Sequence, residues 1–412
     1  MNVAIKLFSL IIFPLFFSSA IKFTAREINM MREGPAPFFP LVQAVPKGNK
    51  VEIIESKENW SKVKLEDGTS GWMANNCLTE TQSTEGYGER LAKDFSGTRA
   101  SQTGIAAAVK GLNKKVGHTN EGDVDALFQL SAPKITVSDF LAFAQPVYNS
   151  NSENKNKMKL EDLNLKDPYY KFFLNEYFVG AGVAARLLSS GYINDHNLNK
   201  YSYMMIYTLT FKTKYYDQNF VPIILTDNNP DGYACPGGFI FVTKGAFKLC
   251  DNEAELAFIF AHELAHVIRK HGMQEMSKRR AQIQFDLEFS EFEEEEGFEK
   301  EEWEEELDQM AVEMYNRIVN KRLLEYELEA DKIAIVLLAN AGYDPFASIS
   351  VLQKLWKISN AGGEFVPYKY SAAGEMQQRL EAAKKFCEKK FKQKNPGVTM
   401  ASRFTSYKSL VR

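Results

Sequence analysis

The stretch that decides the fold runs from Asn252 to His271 and reads NEAELAFIFAHELAHVIRKH. Asn252 is a helix-capping residue, and Glu255 three positions on completes the pattern of a capping box. Neither Gly nor Pro interrupts the chain before Gly272, so the pattern predicts one helix. Its apolar residues, from Leu256 through Phe258, Phe260 and Leu264 to Ile268, leave no polar face, as in a helix buried all round. Into that surface the sequence sets His262, Glu263 and His266. A buried polar group without a partner costs about 1–3 kcal/mol, so these three need partners. His262 and His266, four apart, share one face with Cβ atoms about 6 Å apart, close enough to hold one metal ion. Glu263 can reach a water on that metal without being a ligand. This H-E-x-x-H arrangement is that of a zinc hydrolase. The plainer reading is a pair of core histidines, but with five His in the chain chance seldom sets two in this frame.

Two His leave such a site one ligand short, because catalytic zinc takes three protein ligands and a water. His271 follows His266 by five residues and turns away on the helix. Val312–Ala341 reads as a second helix, carrying Glu325, Glu327, Glu329 and Asp331 ahead of the apolar run Ile333–Leu338. Glu327 and Asp331 are four apart, on a face with the small Ala330 and Ala334, which lets this helix approach the first closely. Glu327 is then the candidate third ligand, and Asp331 an outer group that orients a ligating His. The alternative is a solvated acidic face paired with Lys332 and Arg322.

At 412 residues the chain has room for two or three domains. A formal charge of −3 and the lack of a G-x-x-x-x-G-K loop give no reason to expect nucleic acid or nucleotide as a partner. Residues 1–20, MNVAIKLFSLIIFPLFFSSA, combine one Lys, a short apolar run and a small-residue ending at Ser18 and Ala20. That is the pattern of a cleaved secretory signal, with export to the periplasm or cell envelope. No transmembrane segment is expected in the mature chain. Of the cysteines Cys77, Cys235, Cys250 and Cys387, the second and third flank a short β-like stretch and could pair across it, though three connectivities exist.

Residues 21–80 read as a small all-β barrel, in which Val63 and Leu65 alternate with Lys62, Lys64 and Glu66. Residues 81–160 lack sustained periodicity and read as a linker region with a short helix near Gly104–Val116. Helical patterns dominate 161–388, where Gly180, Ala181, Gly182, Ala184 and Ala185 permit close packing of a helix over Phe172–Ser189. Strands are expected at Val221–Thr226 and Gly238–Thr243. The second, as an edge beside the metal, could pair with an extended peptide. The acidic insertion 286–308 is either a solvated run or a lid that repels acidic substrates. The basic tail 389–412 reads as peripheral.

Three segments, ACPGGFIFVTKGAF, AELAFIFAHELAHVIRKH and ELEADKIAI, together resemble the soluble M48 peptidases, an envelope group related to the CAAX prenyl endopeptidases. The resemblance covers about residues 165–385. It implies an α+β fold, a mainly helical gluzincin-type metallopeptidase domain with a small β-sheet edge. It also implies one Zn2+ per chain on His262, His266 and Glu327, Glu263 as the catalytic carboxylate, and Asp331 behind the ligands. By the same resemblance Gly237, Gly238, Phe239, Ile240, Phe241 and Val242 form the substrate-pairing edge. One departure stands out. The family usually places a His-Pro pair six residues before an Arg; here Arg379 is present but the pair is Ala373-Gly374, which leaves Tyr368 or Tyr370 as candidate transition-state donors.

NMMREGP from Asn29, then PKGNKVEII, NWSKVKLEDGTSGWM and Leu78, resemble the bacterial SH3-like (SH3b) domains, which bind peptides or cell-wall components. Trp60 and Trp72 serve there either as core or as a ligand platform. The combined expectation is a zinc endopeptidase of the cell envelope acting on misfolded or unassembled proteins. Its competitors are a weakly active, chaperone-like assembly factor and an SH3b-targeted cell-wall hydrolase.

Overall fold

The computed structural model describes residues 20–82 except 27, 123–150 except 132, 158–165 except 164, 174–274, 309–361 except 317, 320 and 321, and 373–411 except 392–396. The expected secretory signal up to residue 19, the helix near Gly104–Val116, the acidic insertion 286–308, and Tyr368 and Tyr370 lie outside the described residues.

Alternating apolar and charged residues fold the N-terminal part into seven strands: β1 (Ile21–Thr24), β2 (Ile28–Arg32), β3 (Leu41–Pro46), β4 (Lys50–Lys57), β5 (Trp60–Leu65), β6 (Ser70–Ala74) and β7 (Leu78–Thr79). They pair antiparallel in the order β3-β2-β6-β5-β4-β1-β7 around Met31, Val45, Val51, Val63 and Met73. Trp60 and Trp72 belong to a second cluster, with Ala74, Cys77 and Tyr216. The rings of Trp60 and Tyr216 meet edge-on at 6.0 Å. Tyr216 donates its hydroxyl to the Asn59 carbonyl at 3.1 Å and accepts from the Asn76 amide at 3.4 Å, while Arg26 pairs with Asp217 at 2.5 Å. The two tryptophans are therefore core at a joint between the barrel and the helical part, not an open platform.

Residues 123–150, expected within a linker, instead form helices α1 (Val124–Leu130) and α2 (Val137–Ser150). Thr136 and Asp139 cap α2 reciprocally, and Phe140, Phe143, Ala144 and Val147 carry it into the main core. Preceding Gly-rich sequence and the internal Pro146 mask that periodicity. Also in this core are α3 (Leu174–Leu188) and α4 (His196–Thr210).

A small sheet follows, of β8 (Val221–Leu225), β9 (Gly232–Cys235) and β10 (Phe239–Thr243), in the order β8-β10-β9. β10 is parallel to β8 and antiparallel to β9, so it is the central strand. Gly237, Gly238, Phe239, Ile240, Phe241 and Val242 are thus not the sheet edge that the sequence reading made them. The outer strands are β8 and β9, and the four residues of β9 sit inside the turn-rich DNNPDGYACPG and are too short to be read as a strand. Gly237 (φ 78°) and Gly238 (φ 102°) turn the chain from β9 into β10 through backbone that favours glycine. On this turn α3 packs so closely that a Cβ on Gly180 would lie 1.9 Å from the Pro236 carbonyl oxygen.

After α5 (Lys244–Leu249) comes the predicted helix, α6 (Glu253–Ile268), where Asn252 accepts from the Glu255 amide at 3.1 Å. Glu255 reaches back to the amide of Asp251 rather than Asn252. The expected helix Val312–Ala341 is two pieces: residues 309–316 and 318–319 are helical, then α7 (Leu324–Ala341) starts afresh after extended Leu323. α8 (Ala347–Asn360), α9 (Ala373–Lys390) and α10 (Ala401–Lys408) complete the chain.

The tail is not peripheral. Arg403 of α10 reaches the fully buried Glu253 through Nε at 2.7 Å and through Nη2, and Tyr201 and Tyr343 donate to the same carboxylate at 3.0 and 2.6 Å. A carboxylate in the first turn of α6 suits the helix dipole but needs this cation once it is buried. All four cysteines are buried and free, so Cys235 and Cys250 do not pair. No described helix is long and apolar enough to cross a membrane.

Arg403→Ala strips Glu253 of its countercharge. It is expected to lower unfolding free energy by about 3–5 kcal/mol in a urea titration, and a loss below about 1 kcal/mol would contradict the assignment.

Candidate metal centre

α6 and α7 pack against each other, and both carry small buried residues, Ala261 and Ala265 on one, Ala330 and Ala334 on the other. That approach brings His262, His266 and Glu327 together as a group able to hold a metal ion. The two Nε2 atoms are 3.1 Å apart, and the Glu327 oxygens lie 3.4 Å from each. In a tetrahedral zinc site with bonds near 2.0–2.1 Å, neighbouring ligand atoms are about 3.3 Å apart. The residues present therefore fit such an ion.

Outer groups hold each ligand in place. Asp331 Oδ1 is 2.9 Å from His262 Nδ1, which turns Nε2 inward. Arg379, from α9, grips Asp331 with Nε and Nη2 at 2.8 Å each, and its Nη1 lies 2.6 Å from Glu327. Burial alone would raise the Glu327 carboxyl, but Arg379 and the two imidazoles keep it well below the usual carboxylate range. Asp331 is lowered in the same way, with burial opposed by Arg379 and His262.

His266 is backed by a residue the sequence reading set aside. α6 ends at Ile268, and Lys270 adopts a left-handed conformation (φ 53°). The turn swings His271 under the helix, its Nδ1 2.8 Å from His266 Nδ1. His271 stacks on Tyr326 at 4.4 Å, and its Nε2 lies 3.5 Å from Glu329, which in turn pairs with Arg269. For His266 to present a lone pair at Nε2 its Nδ1 must carry the proton, so His271 acts as the acceptor. Five-residue spacing was the only signal in the sequence, and helix geometry alone argues against it.

Glu263 is buried beside β9, and a Cβ on Gly232 would fall 2.5 Å from its Oε1. Burial pushes its carboxyl up to about 7, against the opposing charges of His262, Arg322 and Arg379. Arg322 bonds the Ala234 carbonyl of β9 through Nη2 at 3.1 Å. At the start of α9, Gly374 is exposed, with nothing within 4 Å of where its Cβ would stand.

Comparison with known sequences agrees with this geometry. Residues 199–394 match Peptidase family M48, and residues 31–79 match Bacterial SH3 domain. The chain is 27% identical over 139 residues to the mitochondrial metalloendopeptidase OMA1 of Schizosaccharomyces pombe, covering 32% of this chain and 36% of that protein. It is 27% identical over 146 residues to OMA1 of Arabidopsis thaliana, covering 35% and 28%. It is also 32% identical over 90 residues to a Vibrio cholerae protein named as a beta-barrel assembly-enhancing protease, covering 21% and 19%. The chain thus spans between 19% and 36% of the length of these relatives.

His271→Phe keeps the ring stack on Tyr326 and removes the acceptor for His266. Its affinity for zinc, measured by chelator competition, is expected to fall about 10–100-fold; unchanged affinity would show that His271 only fills space.

Proposed function

Residues 199–394 belong to peptidase family M48, and from that premise we propose that the chain is a zinc-dependent endopeptidase of the cell envelope, hydrolysing peptide bonds of misfolded or unassembled envelope proteins. The observation that carries the reading is the convergence of His262, His266 and Glu327, with Glu263 buried beside β9, an outer strand of the small sheet. The envelope setting is supported by the bacterial SH3 domain, by the name of the Vibrio cholerae relative, and by the signal-like residues 1–20.

Zinc on the two imidazoles and Glu327 would supply Lewis acidity to the scissile carbonyl and to the attacking water. The rest of the chemistry falls to the chain's own groups. Glu263, buried beside the ligands, accepts a proton from the water and delivers it to the departing amine. Asp331 and His271 fix the imidazoles so that neither spends its Nε2 lone pair elsewhere. An extended substrate lies along β9, the outer strand on the side of Glu263, and not along β10.

A second reading, a weakly active or inactive assembly factor on the same fold, is favoured by one observation: Ala373 and Gly374 stand where a donor His-Pro pair is usual. The cell-wall hydrolase has less behind it, because Trp60 and Trp72 are covered by Tyr216.

Casein digestion and zinc content of wild type, Glu263→Gln and Glu327→Ala test the reading. Glu263→Gln is expected to keep zinc and lose cleavage, and Glu327→Ala to lose both. Zinc-loaded wild type that is as inert as Glu263→Gln would transfer the case to the assembly factor. A second check is Gly232→Ala, whose added methyl displaces the Glu263 carboxylate; cleavage should drop sharply with zinc retained.

A further inference from the structure

Arg322 stands in the break that precedes α7, and its guanidinium reaches over to β9. Nη2 donates to the Ala234 carbonyl at 3.1 Å. The residue is only 9% exposed, yet Nη1 is buried with no hydrogen-bond partner. Leaving a charged donor buried and unmatched costs more than leaving a neutral one, so the site asks for an acceptor that the described residues do not supply.

Its position says where that acceptor would sit. Ala234 is two residues along β9 from Gly232, and residues so spaced on a strand lie about 7 Å apart on the same side. Gly232 is the residue whose Cβ would touch Glu263. Arg322 and Glu263 thus flank one short length of the strand proposed to bind substrate. The positive charge of Arg322 is close enough to act on both Glu263 and His266. No carboxylate among the described residues pairs with Arg322, in contrast to Arg379, which is saturated by Asp331 and Glu327.

We propose that Arg322 is a catalytic residue of this peptidase, with Nη1 donating to the scissile carbonyl oxygen as that oxygen becomes an oxyanion and Nη2 anchored on Ala234. The inference rests on the peptidase reading and names the donor that Ala373 and Gly374 do not supply. When the water oxygen bonds to the carbonyl carbon, the C=O π pair moves onto oxygen, and the proton released goes to Glu263. Arg322 remains a guanidinium throughout and transfers no proton. As the C–N bond breaks, its electron pair leaves with the amine, which takes the proton from Glu263, and the carbonyl re-forms. A preorganised cation in a water-poor site favours the oxyanion over the neutral carbonyl, so its effect falls on kcat rather than on substrate binding.

The test uses the full chain, zinc-loaded, with Arg322→Gln and Arg322→Lys beside wild type, an internally quenched casein peptide as substrate, and a phosphinic peptide as tetrahedral analogue. Arg322→Gln is expected to keep its zinc, lower kcat by about 100- to 1,000-fold and leave KM within about threefold. Affinity for the phosphinic peptide should fall by a similar factor, while the substrate peptide binds Glu263→Gln equally well with or without the Arg322 change. Arg322→Lys, which keeps charge and one donor, should fall between; if Arg322→Gln loses zinc, the split between kcat and KM is read from Arg322→Lys. A kcat within threefold of wild type, or a loss confined to KM, overturns the assignment and makes Arg322 a clamp on β9. Wild type that binds zinc and cleaves nothing overturns the peptidase reading and this one together, whereas active wild type with equally active variants overturns this one alone.

Discussion

Arg379 between Asp331 and Glu327 is the interaction on which the rest depends. Two buried carboxylates one turn apart on α7 face α6, where an isolated charge would be driven to protonate. A neutral Asp331 would no longer accept strongly from His262, and a neutral Glu327 would be a poor metal ligand. The bidentate grip of Arg379 on Asp331 and its close approach to Glu327 keep both ionised. One cation thus fixes the charge state of the ligand set before any metal is considered. The remaining negative charge on Glu327, close to two imidazole lone pairs, is what a dication would compensate.

That arrangement holds only if α6 and α7 are held at fixed depth, and each is tied by a buried charge in its N-terminal half. α6 is anchored at its first turn, where Glu253 is clasped by Tyr201, Tyr343 and Arg403, groups drawn from three other helices or their flanks. α7 is anchored through Arg379 to α9. Lys354 of α8 adds a third tie, reaching Glu255 and Asp251 at the start of α6. Such buried pairs contribute little net free energy compared with apolar packing, but they penalise any shift of register, since a displaced charge loses its partner at once. A metal site tolerates misplacement of a few tenths of an ångström, and specificity of position matters more here than stability.

What the sequence disclosed follows from the range of the interactions involved. The helix Asn252–Ile268 and the pair Glu327 and Asp331 rest on periodicity and on spacings of four, which are local and read directly. β10 was taken for an edge because strand order in a sheet is decided by what pairs with each side, and the partner β9 hides in a loop of Gly, Pro and Asp. His271 was set aside by a sound rule for straight helices; the left-handed turn at Lys270, a residue with no special preference for it, breaks the premise. The tail reads as basic and peripheral until Arg403 is paired with Glu253, more than a hundred residues away, a partnership that no local pattern carries. Trp60 and Trp72 fit a ligand platform and a core equally well in sequence, and only the docking of Tyr216 decides between them.

The joint at Tyr216 has its own mechanical sense. The turn that carries Tyr216 and Asp217 leaves α4 and leads directly into β8, the strand that flanks β10 on the side away from β9. By seating that turn on Trp60 and pairing Asp217 with Arg26, the barrel holds the root of the sheet on the side away from β9. A sheet of three short strands gains little order from its own hydrogen bonds and takes its position from what packs on it. Here α3 presses on the Gly237–Gly238 turn, the barrel steadies the approach to β8, and Glu263 lies against Gly232. The strand beside the proposed reaction centre is thus located by contacts on both sides of the sheet, with Arg322 on its Ala234 carbonyl and Glu263 against Gly232.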